Sequence, residues 1–129
     1  MKVKVYYNLH KNCYSIVSLE KENYGKVIKH ENCVPLFDAQ FKVSEKGRQR
    51  VLREQKKNVH AYVVGTWVSE FIPRSEVKLA TYNPYKYSSF VDATSKNSLD
   101  KAKQVLLSIY IQPLMSEGYR KTSHIHYVA

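Results

Sequence analysis

Between Lys42 and Gly65 the apolar period of the chain changes twice, and this limits what the rest can build. Upstream, Phe37, Ala39, Phe41 and Val43 alternate with Asp38, Gln40 and Lys42, the pattern of a half-buried strand. Ser44 then stands where a helix N-cap is needed, since its side chain can accept from a backbone N–H of the first turn. A helix over about 45–58 puts Arg48, Val51, Leu52, Gln55 and Val59 on one side. Lys46, Arg50, Arg53 and Lys57 fall on the other as a basic stripe. From His60 to Val68 the alternation returns, with Tyr62, Val64 and Val68 against Ala61, Val63 and Trp67. The expected fold class is α+β: a mostly antiparallel β-sheet with one main basic helix.

The same stretch concentrates charge. Lys42, Lys46, Arg48, Arg50, Arg53, Lys56 and Lys57 face only Glu45 and Glu54, which is half of the chain's net +10. Clustered positive charge makes a phosphorylated or polyanionic partner the leading class. Arg48 differs from the rest because it falls on the apolar side. Either its stem packs and its head snorkels or pairs with a carboxylate, or it points into a pocket under the helix, and the pocket is the expectation.

Elsewhere the alternation is shorter. Lys2–Tyr7 and Cys13–Leu19 read as a hairpin around the turn Asn8–Asn12. Glu22–Gly25 reads as a turn and Lys26–His30 as a short strand. The Val34-Pro35 step should interrupt pairing, because proline lacks the N–H a ladder needs. Gly65 marks a bulge or a close approach. Val77–Tyr82 is a strand leading to the turn at Asn83-Pro84, after which Tyr85–Val91 alternates again. Ala93–Ser98 is a polar loop. Ala102–Ile111 fits either period, and its β-prone second half favours a strand. Residues 112–129 read as a surface tail, with a short terminal strand at His124–Val128. At 129 residues the chain is expected to be one domain, 1–129.

Eleven tyrosines are many for this length. Tyr82, Asn83, Tyr85, Lys86, Tyr87 and Phe90 lie within one short segment. Rings there can stack on a nucleobase, Asn83 can read a base edge and Lys86 can meet a phosphate. The plainer reading is a tyrosine-rich strand face packed on the core. Arg48, Arg50, Arg53 and Lys57 are the candidate phosphate contacts. Gly47, in the first helical turn, exposes backbone N–H groups to an anion, although no P-loop spacing exists.

Signals for chemistry are weak. His10, His30, His60, His124 and His126 are scattered, and Cys13 and Cys33 lack zinc-site spacing, so no metal and no cofactor are expected. His124 and His126 share one strand face and could act on a phosphodiester, as could His60. Two unpaired cysteines, no signal-peptide pattern and no spanning apolar run point to the cytoplasm and away from a membrane.

Three segments carry a resemblance: Tyr6–Ile16, Phe41–Ala61 and Thr81–Phe90. They resemble a family of small bacteriophage proteins, and the chain is similar in size, β-rich make-up and basic character to the Thoeris anti-defence "sponge" proteins. The resemblance implies a non-catalytic protein that sequesters a cyclic ADP-ribose-like nucleotide. It also implies a homo-oligomer with shared pockets, at work in the host cell cytoplasm. No site residue carries over from it. The rival expectations are an RNA- or DNA-binding protein, an inhibitor docking its basic face on a host enzyme, and a histidine-dependent phosphodiesterase.

Overall fold

The computed structural model describes residues 1–109 and 125–129. Ten strands of the described residues form one antiparallel sheet. They are β1 (Lys2–Asn8), β2 (Cys13–Ser18), β3 (Val27–Glu31), β4 (Cys33–Val43), β5 (Ala61–Trp67), β6 (Lys78–Thr81), β7 (Phe90–Asp92), β8 (Ser98–Leu99), β9 (Lys101–Ser108) and β10 (Ile125–Val128). Their spatial order is β3-β2-β1-β5-β4-β9-β10-β6-β7-β8. Among the described residues α1 (Glu45–Glu54) is the one α-helix, and Lys21–Asn23 form a single 3₁₀ turn. The fold is therefore essentially all-β, not α+β. The lone helix is a connection between β4 and β5 and does not form a layer of its own.

The sheet buries one face by curling. Phe41 of β4 and Phe90 of β7 lie four places apart in strand order, yet their ring centroids are 5.1 Å apart. In a flat sheet that separation would be about 19 Å, at ~4.8 Å per strand. Val3, Val5, Ile16, Leu36, Val63, Val105, Leu107 and Tyr127 fill the inside of the curl. The alternating apolar residues can be buried this way without a second layer.

Several expectations change in detail. The helix stops at Glu54, and Gln55 takes a left-handed conformation (φ 54°) with its N–H on the Val51 carbonyl. The terminating turn leaves Lys57 outside the helix. Val34-Pro35 does not interrupt β4. The Val68 N–H donates to the Pro35 carbonyl (3.1 Å), so the Pro35 nitrogen faces the same side, just past the last β4–β5 pair. No ladder bond is lost there. The alternation through Phe37 also breaks, because the β4–β5 register shifts between Phe37 and Gln40, around Asp38 with φ 48°. Leu36 and Ala39 are buried on either side of the bulge, while Phe37 is turned outward and 42% exposed. Gly65 lies opposite. A Cβ there would stand 3.0 Å from the Phe37 carbonyl oxygen, so the close approach expected at this glycine is to a backbone.

The sequence between Asn83 and Ser89 is not a strand; only Phe90–Asp92 pairs. Ile125–Val128 is not part of a surface tail. It sits between β9 and β6, with Ile125, Tyr127 and Val128 buried. His124 and the rest of the expected tail, within 110–124, lie outside the described residues.

Candidate functional site

The helix and the tyrosine-rich turn meet at Arg48. Its Nε–H is shared between the carbonyls of Pro84 (3.0 Å) and Tyr87 (2.9 Å), and Nη1 donates to Glu45 Oε1 (2.9 Å). The inward arginine is thus a clamp that fixes a turn. It pairs with a carboxylate, as the first of its two sequence readings allowed. Glu45 is held below the usual carboxylate range, first by the amide of Gln49 and then by Arg48. Gly47 is drawn in as well. Its N–H donates to the capping Ser44 Oγ (3.2 Å), so it is already engaged within the cap.

The turn itself is built by Asn83. Its side-chain oxygen accepts from the Tyr85 N–H (2.9 Å), and its carbonyl accepts from Lys86 (3.1 Å) and Tyr87 (2.8 Å). Such turns are what asparagine before proline favours. Asn83 is therefore occupied in shaping the turn, whatever else it contacts.

Between this turn, the end of β1 and the start of β5 lies a cleft of about 590 Å³. Tyr7, Tyr82, Tyr85 and Tyr87 line it, together with Lys57, Lys86 and Lys96, and among the described residues no carboxylate does. Tyr85 is the most exposed ring, at 58%. Tyr82 is half-buried, stacked on Phe90 (5.2 Å, 30°) and edge-on to His60 (5.4 Å). His60 forms part of the floor. Its Nδ1 is 3.1 Å from both the carbonyl and the side-chain oxygen of Asn58, which places the proton on Nδ1. Nε2 then accepts from the Tyr82 hydroxyl at 2.7 Å. Burial pushes the Tyr82 hydroxyl up to about 12, against the opposing pull of Arg48, so it stays protonated as a donor.

Lys96 reaches the cleft through a separate construction. Asp92 Oδ1 accepts from the N–H groups of Thr94 and Ser95, and its carbonyl accepts from Lys96, which adopts φ 65°. The Lys96 ammonium donates to the Ala93 carbonyl (2.6 Å) at the rim. Asp92 is buried, and Tyr127 donates to its Oδ2 (2.5 Å). That hydrogen bond, followed by those of Ser95 and Thr94, lowers the Asp92 carboxyl to about 2. The terminal strand β10 thereby anchors one cleft wall.

The sequence candidates divide accordingly. Lys57, Tyr82, Asn83, Tyr85, Lys86 and Tyr87 come together in the cleft, and Arg48 braces it. Arg50 lies outside it, paired with Glu54 (3.2 Å), and Arg53 is exposed and does not line it. Phe90 is 5% exposed and packed between Tyr82 and Phe41, so it supports the site from the core and has no free face for a base. His60 and Lys96 were not among the sequence candidates for ligand contact. The readable signal for Lys96 was Asp92-Ala-Thr-Ser, a turn-forming run ahead of a lysine. Among the described residues no cluster of three or more His, Cys, Asp or Glu is placed to hold a metal.

Fold and site define an all-β protein with a tyrosine–lysine cleft at one end of a curled sheet. A model of the Mycobacterium phage L5 gene 82 protein family matches residues 1–111, a span containing every described cleft-lining residue. The gene 82 protein of Mycobacterium phage L5 is 39% identical over 116 residues, covering 84% of this chain and 90% of that protein. The chain belongs to this phage protein family. No solved structure matches it.

Proposed function

We propose that this phage-family protein binds a phosphorylated nucleotide in the tyrosine–lysine cleft and holds it without turning it over. The observation that carries the reading is the lining itself: among the described residues, four tyrosines and three lysines with no carboxylate. Aromatic faces accept a base, and lysines accept phosphate. The cleft's volume suits one ligand of nucleotide size. Both His60 nitrogens are engaged within the protein, which favours a holding role over proton transfer.

The comparisons reach no further than the phage family. The narrower likeness to Thoeris anti-defence proteins belongs to this proposal. On that likeness the ligand is a cyclic ADP-ribose-like signal, sequestered in the host cytoplasm by a homo-oligomer. Among the described residues no helix is long and apolar enough to cross a membrane. Among the described residues β3 stands at one end of the strand order, and its outer edge is the proposed place for a second copy to pair.

The test is incubation with a panel of cyclic nucleotides, heat denaturation and mass analysis of the released material. Recovery of an unchanged nucleotide is expected. Recovery of a converted product would identify a phosphodiesterase, and retention of nothing would remove nucleotide binding.

A further inference from the structure

The register of the sheet sorts a second set of residues onto the face turned away from the core. Lys4 opposes Val64, and Val64 opposes Gln40, which in turn opposes Lys101. Tyr62 opposes Lys42, and Tyr6 follows the Val5–Val63 pair along β1, two positions from Lys4 and so on the same face. Phe37 opposes Thr66 on this same face. Lys42 and Lys101 are exposed, and Lys4 Nζ lies 4.4 Å over the Tyr62 ring. None of these outer-face positions is a carboxylate.

We propose that this outer face is a platform for single-stranded nucleic acid, separate from the cleft. The residue that argues hardest for it is Phe37. Simple alternation would bury it beside Phe41. A bulge at Asp38 with positive φ turns it out to 42% exposure instead. Bulges recur where a side chain must be re-aimed for function. Aromatic side chains on one sheet face, interleaved with lysines, match an unpaired strand: bases stack on the rings while phosphates meet the ammonium groups. A base can take the place of the Lys4 ammonium on Tyr62, since stacking outweighs an exposed cation–π contact and Lys4 then meets a phosphate. A second copy of the chain fits poorly, because the lysines would meet lysines. A bilayer also fits poorly, because Tyr6 and Tyr62 are half-buried in the face and offer no wedge to insert.

The test is fluorescence anisotropy with labelled, mixed-sequence single-stranded DNA and RNA of about 15 nucleotides, titrated across salt. Lys2 opposes Thr66 on the same face, and the four lysines Lys2, Lys4, Lys42 and Lys101 predict a slope of log K against log salt near −3, at about 0.7 per phosphate neutralised. The pair Lys42→Ala and Lys101→Ala, at exposed positions, should reduce that slope by about 1.4. Phe37→Leu and Tyr62→Leu keep an apolar side chain but lose the ring, and each should weaken binding about fivefold or more. Lys86→Ala, in the cleft, should leave oligonucleotide affinity within about twofold. Circular dichroism melting confirms that each variant is folded. Three results would overturn the platform. One is no binding by the folded wild type at low salt. Another is greater loss from Lys86→Ala than from the outer-face lysines. The third is capture of phosphatidylserine vesicles in place of oligonucleotide.

Discussion

Arg48 Nε lies 2.9 Å from the carbonyl oxygen of Tyr87, a contact across 39 positions of sequence. The same N–H also serves Pro84, and Nη1 holds Glu45. One side chain thus ties the one α-helix among the described residues to the turn that carries Tyr85 and Tyr87 of the cleft. Its loss should strand two carbonyls and loosen that turn. Arg48→Ala is expected to destabilise the fold by about 1–3 kcal/mol, read as a lower urea midpoint. Arg48→Lys should recover less than half, because an ammonium cannot reproduce the planar fork. Nucleotide affinity should fall in both variants through the displaced turn.

Gly47 tests the packing of the helix against the cleft floor. A Cβ there would sit 2.5 Å from the Cβ of His60. Alanine gains up to about 1 kcal/mol of helix propensity over glycine. Overpacking against a side-chain stem typically costs about 1–3 kcal/mol. The clash should win, so Gly47→Ala is expected to lower the melting temperature by a few degrees. His60 should shift away from Tyr82, visible as a changed imidazole resonance.

Asp92 and Tyr127 set opposite ends of the pH range. The Asp92 carboxyl is lowered from 3.8 to about 2, first by the Tyr127 hydroxyl. A depressed folded-state value stabilises above the unfolded pKa, and the stabilisation is lost as pH falls through the folded one. On the order of 2 kcal/mol should therefore disappear between about pH 5 and pH 2. Tyr127→Phe should remove the largest cause and flatten that acid limb. Tyr14, Tyr82 and Tyr127 are all raised, mainly by burial. Their contribution is present below about pH 10 and lost above it, so alkaline unfolding should begin there. Denaturant titrations at a series of pH values measure both limbs.

Gly65 probes the bulge. A methyl group would meet the Phe37 carbonyl at 3.0 Å and the Leu36 Cβ at 3.2 Å, both fixed by β4. Gly65→Ala should cost about 1–3 kcal/mol. Gly25 has φ 81°, and a methyl group added there would meet nothing within 4 Å, so it isolates the backbone effect. Gly25→Ala should destabilise through left-handed strain alone, and by less. Urea midpoints of the two variants, measured side by side, check the order.

Sequence reading found the strands wherever alternation was unbroken, as in Val3, Val5 and Tyr7 of β1 or Val63 of β5. It failed at Phe37 because a single positive-φ residue, Asp38, inverts the pattern, and aspartate alone does not announce a bulge. The inward position of Arg48 was legible from helical spacing. Its acceptors were not, because they are backbone carbonyls on a turn brought near by the curl. Phe90 looked like one more ring of the tyrosine segment, yet it begins β7 and points to Phe41. His60 and Lys96 escaped notice as ligand contacts because the cleft joins chain segments remote in sequence. The all-β outcome follows from how little the helix buries: Val51 is its one buried residue.

The central claim is that the cleft, and not the basic helix stripe, binds the nucleotide. Isothermal titration calorimetry with cyclic ADP-ribose and the cyclic-nucleotide panel tests it on two folded variants. One carries Lys57→Ala, Lys86→Ala and Lys96→Ala; the other carries Arg50→Ala and Arg53→Ala. The cleft variant should lose at least tenfold in affinity, about 1.4 kcal/mol, while the helix variant stays within about twofold of wild type. Equal losses, a larger loss from the helix pair, or no heat of binding by wild type would contradict the account.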